Sequence, residues 1–149
     1  MTLNPKTILF YGGTDKDEVA LEDFWLLNLE TVTWRQVTNI KGSFPPKMGC
    51  TITSFPSELL AFGGEFGENE NSQYTNDVFS LRLEGENFGE EPLGLSIEQI
   101  EVIGARPTMR TGHCAVNYKN RLLIVVGGEG MSSNKTPVLY NDLWAYNVK

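Results

Sequence analysis

The chain has 149 residues, 40% of them apolar and 11% aromatic, which is enough to bury a core and too apolar for general disorder. Its net charge of −7, from 12 basic and 19 acidic residues, argues against a nucleic acid or an anionic membrane surface as partner. The longest unbroken apolar run, Leu122 to Val126, falls far short of the roughly twenty residues of a membrane-spanning helix. In chain order, the first run is Ile8-Leu9-Phe10-Tyr11, closed by Gly12-Gly13. A polar stretch leads to Asp23-Phe24-Trp25-Leu26-Leu27, and Thr33-Trp34-Arg35-Gln36-Val37 follows. Phe44-Pro45-Pro46-Lys47-Met48-Gly49-Cys50-Thr51-Ile52 opens a second cycle, continued by Leu59-Leu60-Ala61-Phe62-Gly63-Gly64 and Asn76-Asp77-Val78-Phe79-Ser80-Leu81. Pro107-Thr108-Met109-Arg110-Thr111-Gly112-His113-Cys114-Ala115 opens a third, continued by Leu122-Leu123-Ile124-Val125-Val126-Gly127-Gly128 and Asn141-Asp142-Leu143-Trp144-Ala145-Tyr146.

These cycles are internal repeats. Aligned on Asp23, Asp77 and Asp142, the residues Trp25, Phe79 and Trp144 coincide, as do Leu27, Leu81 and Tyr146. The glycine pairs recur at intervals of 51 and 64 residues, and the extra length falls between the runs and not within them. Each run is short, rich in β-branched and aromatic residues, and bounded by Gly, Pro, Asn or Asp, which describes strands. No segment carries a helical period over ten or more positions, so the chain is read as all-β, with ten recognisable strands. Apolar residues on both faces of the second run imply a strand held between two sheets. In the middle repeat no Trp matches Trp34; Ile97 and Ile100 are the candidates, and residues 84–95 read as an acidic insertion.

An apolar strand ending in Gly-Gly, an Asp-led aromatic strand and a Trp strand together resemble the kelch repeat, from Ile8 to Val148. The resemblance implies a β-propeller built of four-stranded antiparallel blades of about fifty residues. The chain then holds about two and a half to three blades, roughly residues 6–43, 44–104 and 105–149, starting on the second strand of one blade and stopping on the third of another. A propeller needs four to eight blades. The expectation is therefore an incomplete propeller, closed by the rest of a longer chain, by self-association or by a partner. Gly12, Gly13, Gly63, Gly64, Gly127, Gly128, Asp23, Asp77, Asp142, Trp25, Trp34 and Trp144 are the repeat positions.

Catalytic constellations are scarce. His113 is the sole histidine and shares an alignment column with Cys50, which marks it as a packing position; its neighbour Cys114 would point to the opposite sheet face. Three Cys and His residues in all fall one short of a structural zinc set. Gly127-Gly128-Glu129-Gly130 lacks the Gly-Lys-Ser/Thr of a phosphate loop, and Asp15-Lys16-Asp17-Glu18 lacks the glycine and distal Glu of a calcium loop. No cofactor or metal is expected. Some kelch relatives are metal-dependent enzymes, but their ligand sets are missing here. The primary expectation is a non-enzymatic protein–protein interaction module; a catalytic propeller and a purely structural subunit are the alternatives. Two cysteines without a visible secretory signal point to a cytoplasmic or nuclear protein.

The resemblance also implies that the loops after Gly-Gly (14–21, 65–74, 129–139) and those before the first strand of each blade (39–46, 104–109) open on one end and bind a polar peptide or protein. The first set is acidic, through Asp15, Asp17, Glu18, Glu65, Glu68, Glu70 and Glu129; the second is basic, through Lys41, Lys47, Arg106 and Arg110. Arg110, Lys47, Arg106, Glu65, Phe66 and Glu129 are the candidate contacts, with Arg110 at the position where kelch substrate receptors place a ligand-contacting arginine.

Overall fold

A computed structural model describes residues 2–4, 6–17, 19–67, 73–84 and 94–148. They form sixteen strands and no helix. The first sheet is antiparallel, in the order β1 (Thr2–Asn4), β2 (Thr7–Tyr11), β3 (Phe24–Asn28), β4 (Thr33–Gln36). The second contains β5 (Asn39–Lys41), β6 (Thr51–Ser54), β7 (Leu59–Phe62), β10 (Val78–Glu84) and β11 (Gly94–Ile100), in the order β6-β7-β10-β11-β5. The third is β12 (Cys114–Tyr118), β13 (Leu122–Val126) and β16 (Leu143–Asn147). Two small ribbons, β8 (Glu65–Phe66) with β9 (Gln73–Tyr74) and β14 (Glu129–Met131) with β15 (Pro137–Leu139), follow the second and third glycine pairs. The three larger sheets are successive blades of an incomplete β-propeller.

Three details correct the expectation from the repeat. The first blade begins on its innermost strand and not its second, because β1 pairs with β2 ahead of the first recognised run. The middle blade has five strands and not four. Residues 39–41, assigned above to the first blade, run parallel to the outer edge of β11, with Leu95 opposite Ile40. The outer strand of the middle blade is fully formed, and it places Ile97 opposite Leu81 as Trp34 stands opposite Leu27. Of the stretch read as an acidic insertion, Glu84 and Gly94 are themselves paired strand residues, while 85–93 lie outside the described residues.

Alternation along β7 and β10 divides the core in two. Leu59, Ala61, Phe79 and Leu81 join Leu9, Phe24 and Leu26 between the first and second sheets. Leu60, Phe62 and Val78 join Leu123 and Val125 between the second and third. A side chain such as Leu81, with no exposed surface, contributes about 1.5–3 kcal/mol by burial. The far faces of the terminal sheets have no such cover: Phe10 and Trp34 stack on each other at 4.8 Å on one, and Val116, Val126 and Leu143 stand exposed on the other.

The glycine pairs are needed where they occur. Gly63 and Gly64 have φ of +64° and +100°, which side-chain-bearing residues rarely adopt. A Cβ on Gly64 would lie 2.8 Å from the Cβ of Cys50 and 3.0 Å from the Met48 carbonyl. The glycines thus let the chain turn out of the sheet while pressed against the next segment.

Candidate functional site

The ribbons after the glycine pairs are fastened to the segments that lead into each blade. Met48 and Glu65 exchange backbone hydrogen bonds of 2.8 and 2.9 Å, and Thr111 and Glu129 do the same at 2.9 and 3.0 Å. Across the blade boundary, Gly64 N–H donates to the Arg110 carbonyl at 2.8 Å, Arg110 N–H to Thr75 at 3.1 Å, and Gly112 N–H to Gly49 at 3.1 Å. The loops of the second and third blades therefore form one end with a hydrogen-bonded backbone.

Beneath that end lies Arg110. Expected as a partner contact, it is instead completely buried. Nη1 and Nη2 donate to the two oxygens of Asp142 at 2.6 and 2.9 Å; Nε donates to the Thr108 carbonyl, Nη1 also to the Gly127 carbonyl and Nη2 also to Thr108 Oγ1. These bonds occupy all five guanidinium N–H groups, and Cζ lies 4.3 Å from the Tyr140 ring centroid. A buried charge persists only when paired in this way, so none of its donors remains for a partner. Asp142 also accepts the Trp144 indole N–H at 2.8 Å; its bonds from Arg110, foremost, hold its carboxyl down at about 2.

Lys47 is corrected for the same reason. It is buried, with Nζ 4.8 Å and 5.5 Å from the ring centroids of Phe79 and Phe44 and 3.7 Å from Asp77. Burial, ahead of the raising effect of Asp77, lowers its pKa. The aspartate column of the repeat thus neutralises the cation column in the second and third blades. In the first blade Asp23 accepts the Trp25 indole N–H at 2.6 Å. Of the remaining basic residues, Lys41 pairs with Glu84 at 2.8 Å on the outer edge, and Arg106 is exposed, donating to the Val102 carbonyl.

With Lys47 and Arg110 withdrawn, the end presents acidic and apolar side chains, alongside exposed Arg106 and Lys135. Glu65 stands opposite Tyr74 across β8 and β9, and Glu129 lies on the ribbon of the next blade, bonded to Thr111; partial burial first, then the charges of Glu65 and Glu129, raise the pKa of the Tyr74 hydroxyl. Phe66 is half-buried beside them on β8. Met109, Met131 and Leu139 are 55%, 42% and 81% exposed, and Gly112, Gly128, Glu129, Leu139 and Tyr140 line a depression of about 360 Å³. In the first blade the loop is held by Asp15, whose carboxylate accepts from the backbone of Asp17 and Val19. Glu18, Glu68 and Glu70 lie outside the described residues. Tyr140 and Thr108, which complete the Arg110 cage, had no repeat signal: Leu21 and Thr75 stand in Tyr140's column.

His113 is buried between the second and third blades. Nε2 lies 2.9 Å from Thr51 Oγ1, and the ring meets Phe62 edge-on at 5.0 Å. Burial, and next the charge of Arg110, push its pKa down to about 4, so the ring is neutral at pH 7. Cys114 is exposed on the opposite face. Among the described residues no group of three or more His, Cys, Asp or Glu is placed to hold a metal ion.

The model of the KLHDC2/KLHL20/DRC7 Kelch-repeats domain matches residues 1–149. The chain belongs to the kelch-repeat family. Among curated relatives, it is 31% identical over 153 residues to human Host cell factor 2, and 29% identical over 151 residues to Acyl-CoA-binding domain-containing protein 5 of Arabidopsis thaliana. These alignments take in 95% and 99% of the chain but only 18% and 21% of the relatives. A chain from the cryo-EM structure of RAG in complex with one melted and one unmelted RSS superposes with a TM-score of 0.61 at 16% identity, over 99% of this chain and 49% of that one. That likeness is one of fold. Kelch-repeat domains are generally protein–protein interaction modules, and their loops sit on a rigid frame of blades.

Proposed function

We propose that this kelch segment binds a peptide segment of another protein at the loop-bearing end of its second and third blades, and that the bound segment is basic with at least one apolar side chain. The observation that carries the reading is the placement of Glu65, opposite Tyr74, and Glu129, opposite Leu139, on the ribbons of adjoining blades with Met109, Met131 and Leu139 exposed, while Lys47 and Arg110 are buried against Asp77 and Asp142. Such an end attracts positive charge and offers apolar contact at the same place. A non-enzymatic role is supported by the separation of His113 from Cys114 on opposite sheet faces. Two free cysteines favour a reducing compartment, the cytoplasm or nucleus.

Selection from a random peptide display library against the 149-residue chain tests this. Lys- and Arg-rich peptides should be enriched, their binding should weaken with salt, and the double variant Glu65→Lys, Glu129→Lys should lose them. Enrichment of acidic peptides, or binding unchanged in the double variant, refutes the assignment.

A further inference from the structure

Four methionines occur in the chain, of which Met1 lies outside the described residues. Met48 is half-buried, with its N–H and carbonyl both bonded to Glu65. Met109 and Met131 are instead exposed, and they are neighbours by register. The antiparallel bridge of Thr111 with Glu129, carried two residues further, sets Met109 opposite Met131. The two segments do approach there: a Cβ on Gly130 would lie 2.4 Å from the Met109 carbonyl oxygen. Met109 leads from the second blade into the third, both described, and Gly67, which stands for Met131 in the middle blade, is exposed as well. The exposure therefore belongs to these positions of the loop end. Exposed thioethers are open to oxidation, and a sulfoxide turns a flexible apolar side chain into a polar one.

We propose that Met109 and Met131 form a peroxide-sensitive modification site whose oxidation weakens peptide binding at the loop end. This regulation rests on the loop-end reading given above. Each sulfur takes one oxygen atom from hydrogen peroxide: the O–O bond breaks, an S–O bond forms, and the remainder leaves as water. The sulfur gives up two electrons and the peroxide gains them. The sulfoxide oxygen is a strong acceptor at the place where the partner's apolar side chain would cover a thioether. Covering it without a donor disfavours the complex. The thiols are competing targets. Cys114 is exposed, whereas burial pushes the Cys50 thiol up and keeps it protonated. Dithiothreitol reverses sulfenic acids and disulfides but leaves sulfoxides, which methionine sulfoxide reductases restore.

The test treats the 149-residue chain with hydrogen peroxide and then dithiothreitol, and maps oxygen uptake by peptide mass spectrometry. Met109 and Met131 should gain oxygen ahead of Met48. A Lys- and Arg-rich peptide selected on the untreated chain should then bind about fivefold or more weakly, with the thermal transition retained. Binding should recover after treatment with both sulfoxide reductases. The double variant Met109→Leu, Met131→Leu, whatever its own affinity, should not change on peroxide treatment, whereas Met48→Leu should respond as the parent does. Oxidation of Met48 first, binding unaltered by oxidation, or a response that persists in the double variant would overturn the proposal. Loss of binding together with the thermal transition would overturn it too, because oxidation would then act on the fold. If no basic peptide is selected on the untreated chain, the loop-end reading itself fails and the regulation falls with it.

Discussion

The apolar strands before the three glycine pairs are alike in composition, yet they meet different surroundings. In the middle blade every residue of β7, from Leu59 to Phe62, is at most 6% exposed. In the third blade β13 alternates, with Val125 fully buried and Val126 44% exposed. In the first, Leu9 is buried and Phe10 is 42% exposed. Strand composition reports what a propeller demands of every blade, namely two covered faces, while the measured exposure reports how many neighbours are present. The terminal blades are therefore half-used structures, and the middle one shows what each becomes when flanked.

That contrast can be broken by substitution. Leu81→Ala, in the middle blade, should cost about 2–5 kcal/mol in chemical denaturation, whereas Leu143→Ala on the open face of the third should cost about 0.5 kcal/mol or less. Equal losses would mean that the terminal face is covered in solution. Next comes the pair under the loop end. Asp142→Ala strands a buried guanidinium and should cost about 3 kcal/mol, against a smaller loss for Asp77→Ala, whose contact with Lys47 is 3.7 Å long.

Acid should act on the boundary between the second and third blades. His113 titrates at about 4 when folded and at 6.5 ordinarily, so unfolding takes up a proton as pH falls below 6.5. Its stabilisation is complete above pH 6.5 and is lost on descending toward 4, about 2 kcal/mol between pH 6.5 and 5. Denaturation curves across that range should show the slope, and His113→Gln should flatten it. Asp142 adds a further, solvent-screened loss only below its ordinary 3.8, as pH falls toward about 2. A small effect is expected of Trp34→Ala: its partner Phe10 lies on an open face, so the ring contact is worth about 1 kcal/mol, read in the same denaturation curves.

Much of the fold was legible because the repeat writes it three times. Gly-Gly turns and Asp-led aromatic strands are local features, visible wherever they recur. The fate of Arg110 was not legible, since it depends on Asp142, 32 positions away, and on Tyr140, which has no counterpart in the other repeats. Both the cation column and the aspartate column could be aligned, but nothing in an alignment says that they meet inside the blade. β5 escaped for another reason: Asn39-Ile40-Lys41 is too short to display a period, and the edge of β11 makes it a strand. At the candidate site, the acidic and apolar loop residues were foreseeable from composition, while the removal of the basic ones required knowing which charges are buried.

The parallel run of β5 has a mechanical consequence. One stretch of chain touches the outermost strand of the middle blade at residues 39–41 and supplies its innermost strand at 51–54, so that blade is girdled from rim to axis by its own leader. Tension applied from the amino-terminal end reaches the innermost strand of the middle blade only after this girdle is stripped from β11. The middle blade would then release as a distinct, later event, and its opening force would record the strength of the girdle.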